Sequence, residues 1–142
     1  MEEQNFKNHA RIHPVYHYVT IPALLALLIG SIVNLANSSA QNIYSASLLV
    51  LVSLILIIVY WFTRSFALKA QDRAIRAEEN FRHFILSGKP FDSSITTGQI
   101  IALRFAGDDE FLHLAQKAAN ENLSPKEIKM LVKNWRADYH RV

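Results

Sequence analysis

The sequence contains no cysteine, which removes disulfides, thiolate metal sites, covalent haem attachment and thiol catalysis at once. Charge is missing from a long stretch: between residues 12 and 63 there is no Lys, Arg, Asp or Glu. Glycine and proline are scarce, four of each in 142 residues, so breaks in helical structure are few and can be located one by one. No Gly-rich phosphate loop, Ser-His-Asp order, zinc motif or paired-carboxylate cleft can be assembled from the remaining residues, which argues against an enzyme and leaves no cofactor to expect. The formal net charge of +3 is too small to argue for nucleic acid as a partner, and no small-molecule substrate is evident.

Apolar residues make up 51% of the chain, and many are concentrated in the charge-free block instead of recurring at the period of a soluble helix. Residues 15–36 and 44–63 are two stretches of mostly Leu, Ile, Val and Ala. At a rise of ~1.5 Å per residue, each is long enough to cross a hydrocarbon core of ~30 Å, so the first expected partner is the lipid bilayer. A cleaved signal peptide does not fit, because the apolar run begins late, exceeds an ordinary h-region and is followed at once by a second. Lys7 and Arg11 precede the first stretch, Arg64, Lys69, Arg73 and Arg76 follow the second, and the connection at 37–45 has no basic residue. The positive-inside rule then places both ends in the cytoplasm. Tyr16 and Tyr18, with Tyr60 and Trp61, are expected together at the inner interface, and Tyr44 at the outer one.

Inside the first stretch Ala23, Ala26, Gly30 and Asn34 recur at helical spacing. A small-xxx-small step lets another backbone come close, and the expected neighbour is the second stretch near Ser53, with a hydrogen bond from Asn34 to Ser53 worth ~1 kcal/mol. The alternative is an oligomerisation face or a substrate path. Spans without ionisable residues argue against a transporter or proton relay.

After Thr63 no glycine or proline interrupts the pattern until Gly88 and Pro90, so the second helix is expected to continue as a stalk to residue 87. Along it Ala67, Ala70, Ala74, Ala77, Phe81 and Phe84 follow a 3-4-3-4-3 spacing, the a/d seam of a coiled coil. The partner along this seam is either the chain's own C-terminal helices or another chain. Asp72 with Arg76, and Glu78 with Arg82, are opposite charges four apart, suited to a solvated face.

Residues 88–142 show three helix starts. Thr96 with Gln99 forms a capping box for a helix to about Phe105. Gly107 and Asp108 open an acidic first turn for a second, to about Asn120. Ser124, Pro125 and Glu127 start a third. Ile100, Leu103 and Phe105, then Phe111, Leu114, Ala115 and Ala118, then Ile128, Leu131, Val132 and Trp135 supply matching apolar stripes. Lys126, Lys129, Lys133 and Arg136 lie off the last stripe. They make either a solvated face or a basic face for anionic lipid, RNA or the ribosome.

His9, His13 and His17 stand four apart, a spacing used for metals, but Pro14 disfavours the helix at His13 and no carboxylate completes a ligand set. The segment reads instead as interfacial. Asp108, Asp109 and Glu110 are explained by the helix dipole.

The segments EQNFKNHARIHP at 3–14, ALRFAGDDEF at 102–111 and LSPKEIK through NWRADYHR at 123–141 resemble an uncharacterised family of small two-span membrane proteins of Bacteroidota-type bacteria, a domain of unknown function. The resemblance covers nearly the whole chain. It implies a bacterial inner-membrane location and carries no activity or site residue. The expected architecture is all-α: a segment at 1–14, a transmembrane helical hairpin at 15–63, a cytoplasmic stalk at 64–87 and a three-helix module at 88–142. The expected function is that of a non-catalytic accessory or scaffold subunit, holding other membrane-complex subunits or a second copy of itself.

Overall fold

A computed structural model of the protein describes residues 4–6, 8 and 12–139. Among them the architecture is all-helical. Helix α1 is Val15–Ala36, α2 is Ile43–Ser87, α3 is Thr97–Leu103, α4 is Asp108–Glu121 and α5 is Pro125–Leu131. The chain divides into two compact units, one of Ile12–Ala67 and one of Met1–Arg11 with Leu68–Val142; α2 contributes to both.

The first unit is built from α1 and the beginning of α2. Tyr16 pairs with Tyr60, and Ser31 with Ser53, so the two helices run antiparallel. Their contact stripes alternate steps of three and four: Leu24, Leu28, Ser31 and Leu35 on α1, and Ala46, Val50, Ser53, Ile57, Tyr60 and Arg64 on α2, are withdrawn from the surface. The opening of α1, Val15–Thr20, winds as a wider π-helix. Pro22 is the physical reason, because it has no N–H to give Tyr18 and its ring crowds that carbonyl, a conflict that a wider turn relieves. At this end the Tyr16 hydroxyl donates to the Tyr60 carbonyl at 2.8 Å and the Tyr60 hydroxyl donates to the Tyr16 carbonyl at 2.9 Å. The rings stack with centroids 4.2 Å apart, and the Arg64 guanidinium lies over Tyr16. Tyr18 and Trp61 point outward, and so do Leu25, Ile29, Leu51, Ile55 and Ile58.

In the second unit α2 stops at Gly88, whose φ of 71° supplies the left-handed turn that ends the helix. Helices α3, α4 and α5 enclose a core of Ile95, Ile100, Leu103, Phe111, Leu114, Ala118, Ile128 and Val132, with Phe105 also fully buried. Both expected capping boxes form, Thr96 with Gln99 and Ser124 with Glu127. Gln99 does more than cap: it is buried, and its side-chain amide donates to the Leu123 carbonyl at 2.9 Å, tying the start of α3 to the end of α4.

Helix α5 is shorter than its apolar stripe implies. It ends at Leu131, and Val132 is extended. The cause is Glu110, whose carboxylate accepts the backbone N–H groups of Lys133 and Asn134 at 3.0 and 2.9 Å, two donors that a longer helix would use. The chain then pairs with α3's exit: Trp135 bridges Ala106, the Arg136 N–H donates to the Phe105 carbonyl, and the Gly107 N–H donates to the Asn134 carbonyl. Gly107 leaves room for this pairing: a Cβ would lie 2.6 Å from the Asp109 carboxylate, which would have to swing away, and 3.3 Å from the Asn134 carbonyl oxygen. Trp135 therefore reaches Phe105, at 4.7 Å between ring centroids, from extended chain and not from a helix. Gln4 closes the unit, donating to the Asp138 carbonyl and accepting the Asp138 N–H, so this part of the N-terminal segment joins the C-terminal chain.

Hydrogen bonds from Ser124, its hydroxyl first and its backbone N–H second, hold the Glu127 carboxyl below the ordinary glutamate range. The folded pKa is the lower one, so this contribution to stability is present above the ordinary value and is lost as pH falls through the lowered one. Ser124→Ala should cost about 1 kcal/mol at neutral pH and flatten this acid-side decline, read as the thermal midpoint of the full chain in detergent between neutral and acid pH.

Candidate interaction surface

The residues of α2 in the second unit divide into a covered face and an open one. Ile75 and Glu79 are buried, Arg82 is nearly so, and His83 stacks on Phe91 at 4.2 Å. This is the face on which the module packs. The seam residues Ala70, Ala74 and Ala77 are exposed, and Phe81 and Phe84 keep 66% and 54% of their surface open, beside Ile85 at 64%. Ala67, the last residue of the other unit, is half-buried. Positions 70–84 of the seam are thus largely open, with the chain's own module packed on the neighbouring face and bordering the seam at Ala74 and Phe81.

Ion pairs define the covered face. Glu79 accepts from Arg82 at 3.0 Å and lies 3.5 Å from Arg136. Arg82 also binds Asp108 at 2.6 Å, donates to the Ala106 carbonyl at 2.8 Å, and stacks over Phe111 with its guanidinium 4.1 Å from the ring centroid. The expected pairing of Glu78 with Arg82 is corrected, since Arg82 turns to Glu79 and Asp108 because they lie on the side that the module covers. Arg104 and Asp138 form a further pair at 3.0 Å. The acids opening α4 also serve more than its dipole: Asp108 takes Arg82, Asp109 accepts the Asn134 side-chain amide, and Glu110 ends α5.

The small residues of α1 take up a different position from the one expected. Ala26, Gly30 and Asn34 are exposed, and a Cβ on Gly30 would meet nothing within 4 Å. The polar contact to Ser53 is made by Ser31, at 3.3 Å between hydroxyl oxygens, so the predicted Asn34 bond is wrong by one turn face. Of the histidines, His9 lies outside the described residues. The ring of His17 meets the His13 carbonyl at 3.0 Å, and among the described residues no group of three His, Asp or Glu is gathered as a metal site. The four basic residues do not form one helical face: Lys126 and Lys129 are on α5, with the Lys129 ammonium near the Phe105 ring; Lys133 follows the end of α5; Arg136 turns to Glu79.

A family model matches residues 1–142, and its description is a family of unknown function, DUF6526. No curated protein and no solved structure matches the chain.

Glu79 is the residue on which two arginines converge, and hydrogen bonds to charged groups are worth roughly 1.5–3 kcal/mol. Glu79→Ala should therefore destabilise the module by about 2 kcal/mol, while Arg76→Ala, on the same helix and exposed, should change stability little. Thermal unfolding of both full-length variants in detergent checks the contrast.

Proposed function

From its place in DUF6526, a family to which the chain belongs and which brings no activity with it, we propose that the protein is a non-catalytic membrane-anchored assembly subunit. Its two apolar helices cross the bacterial inner membrane as a hairpin, both ends lie in the cytoplasm, and α2 presents a binding seam there. The observation that carries the reading is the open face of α2, with Phe81, Phe84 and Ile85 mostly exposed although the chain's own module packs on the same helix. Exposed aromatic and aliphatic groups lined up in this way are a recognition surface, because water disfavours leaving them uncovered.

Two features support the membrane anchor. Helices α1 and α2 are long and apolar enough to cross a membrane, α1 rising about 33 Å at ~1.5 Å per residue. Their large aliphatic side chains also face outward on nearly every side, the arrangement of lipid-facing helices and the opposite of buried core helices. Basic residues at Arg64, Lys69, Arg73 and Arg76, against none between Asn37 and Ser45, favour cytoplasmic ends. The absence of a catalytic role is supported by the use of the buried ionisable groups: Glu79, Arg82 and Arg104 are engaged in ion pairs that hold the fold.

The chain is therefore expected to stay in the membrane pellet after alkaline carbonate washing, and to migrate on a blue-native gel in a particle larger than one chain. Ala70→Trp with Ala74→Trp, both at exposed positions, should leave the chain in the membrane but collapse that particle. An unchanged particle size would remove α2's open face from the assembly.

A further inference from the structure

Resting on that assembly reading, we propose that the open face of α2 is covered by the same face of a second copy, the two helices running parallel, with Arg73 of each copy paired to Glu78 of the other. Taking Ala67, Ala74 and Phe81 as a positions and Ala70, Ala77 and Phe84 as d positions, Arg73 falls at g and Glu78 at the following e. In a parallel two-stranded coil the g residue of one helix meets the e residue of the next heptad on its partner. Two-fold symmetry makes this contact twice. Arg73 and Glu78 are both exposed, and they have opposite charges, so the surface is complementary to itself.

The module leaves this approach open. Its contacts to α2 centre on Ile75, Glu79, Arg82 and His83, which in the same heptad frame are b, f, b and c, the positions that face away from a coiled-coil partner, and it only borders the seam, across clefts that Ala74, Glu78, Phe81 and Ile85 also line. Alanine at the first a and d positions lets two backbones come close, and Phe81 and Phe84, with Ile85 at e, supply apolar area further along. The parallel direction follows from the anchor, since two copies inserted in one membrane with the same topology point the same way. An antiparallel pair would lose the match of Arg73 to Glu78. Fewer than three heptads pair weakly between free helices in solution, but confinement to one membrane raises the effective concentration of a second copy.

Because the chain has no cysteine, a single introduced thiol can form a disulfide only with another chain. In native membranes full-length Ala77→Cys, at a d position, should oxidise to a dimer, and Arg76→Cys, at c, should not. In the Ala77→Cys background, Arg73→Glu places two acids opposite Glu78 and Glu78→Arg places two bases opposite Arg73. Each should lower the cross-linked dimer about tenfold, with two contacts turned from attraction to repulsion. Co-expressed with distinguishable tags, these two variants should cross-link to each other at the unmodified level, because both mixed contacts are again attractive. Ala77→Cys that cross-links no better than Arg76→Cys, or charge variants without effect on yield, would overturn the pairing. Particle size on a blue-native gel separates the two levels: a particle larger than one chain in which Ala77→Cys finds no second copy overturns self-pairing and leaves the assembly reading, whereas a particle of one chain overturns both.

Discussion

A helix turns by about 100° per residue, so a partner packed along it can claim only one stripe. This constraint acts on α2 twice. Over its first residues the stripe of Ala46, Val50, Ser53, Ile57, Tyr60 and Arg64 is given to α1; within the second unit the stripe of Ile75, Glu79 and Arg82 is given to the module. What is left uncovered differs in kind. In the first unit it is mostly Leu, Ile and Val, with aromatic and hydroxyl groups towards the ends and without charge; in the second it is an apolar seam flanked by Arg73 and Glu78. Under the proposed function, the first remainder would face hydrocarbon and the second a protein partner.

Hydrogen bonding in the two units follows the same division. Between α1 and α2 the hydroxyl groups return to backbone: Ser31 to the Leu28 carbonyl, Ser53 to the Val50 carbonyl, Thr63 to the Val59 carbonyl, and Tyr16 and Tyr60 to each other's carbonyls. Polar groups that find their partners on the same helix or on the helix packed against it are compatible with surroundings that offer no water. In the second unit, side chains hold the backbone of connecting chain instead. Glu110 holds the N–H groups of Lys133 and Asn134, Gln99 holds the end of α4, and Gln4 holds Asp138. The extended chain after α5 is fixed by these contacts as much as by Trp135.

The features legible in the sequence were those with a local signature. Two long charge-free runs, the caps at Thr96 and Ser124, the stop at Gly88, and the apolar residues of α3 and α4 all depend on neighbours within a few positions, and each is found where the spacing puts it. Contacts that depend on helical phase were not legible. Asn34 and Ser31 are three residues apart and equally plausible beside Ser53, and the π-helical opening of α1 alters the rotation on which the choice rests. The spacing of Ala70, Ala74, Ala77, Phe81 and Phe84 located a stripe but not its partner. The covered stripe was invisible for a different reason: it contains Glu79 and Arg82, and hydrophobic periodicity takes charged residues for solvated ones. The end of α5 depended on Glu110, more than twenty residues upstream, a competition that no local pattern records.

The choice of stripe for the module has an energetic logic. An apolar seam was available on α2, and burying Phe81, Phe84 and Ile85 under α3 and α4 would have added stability in the ordinary way, at roughly 1.5–3 kcal/mol for each large side chain. A buried ion pair is a poorer source of stability, because desolvation offsets most of the attraction. The chain nevertheless docks its module through Glu79, Arg82 and Asp108, with Arg82 also held by the Ala106 carbonyl and the Phe111 ring. Such a contact is directional: it works for the stripe that carries those charges and for no other, so the module cannot slide round onto the apolar seam without taking Asp108 and the Ala106 carbonyl from Arg82 and Arg136 from Glu79. The less stabilising stripe thus fixes the module in place and keeps the more adhesive one free, which is what a helix needs if it is to support its own domain and still bind something else.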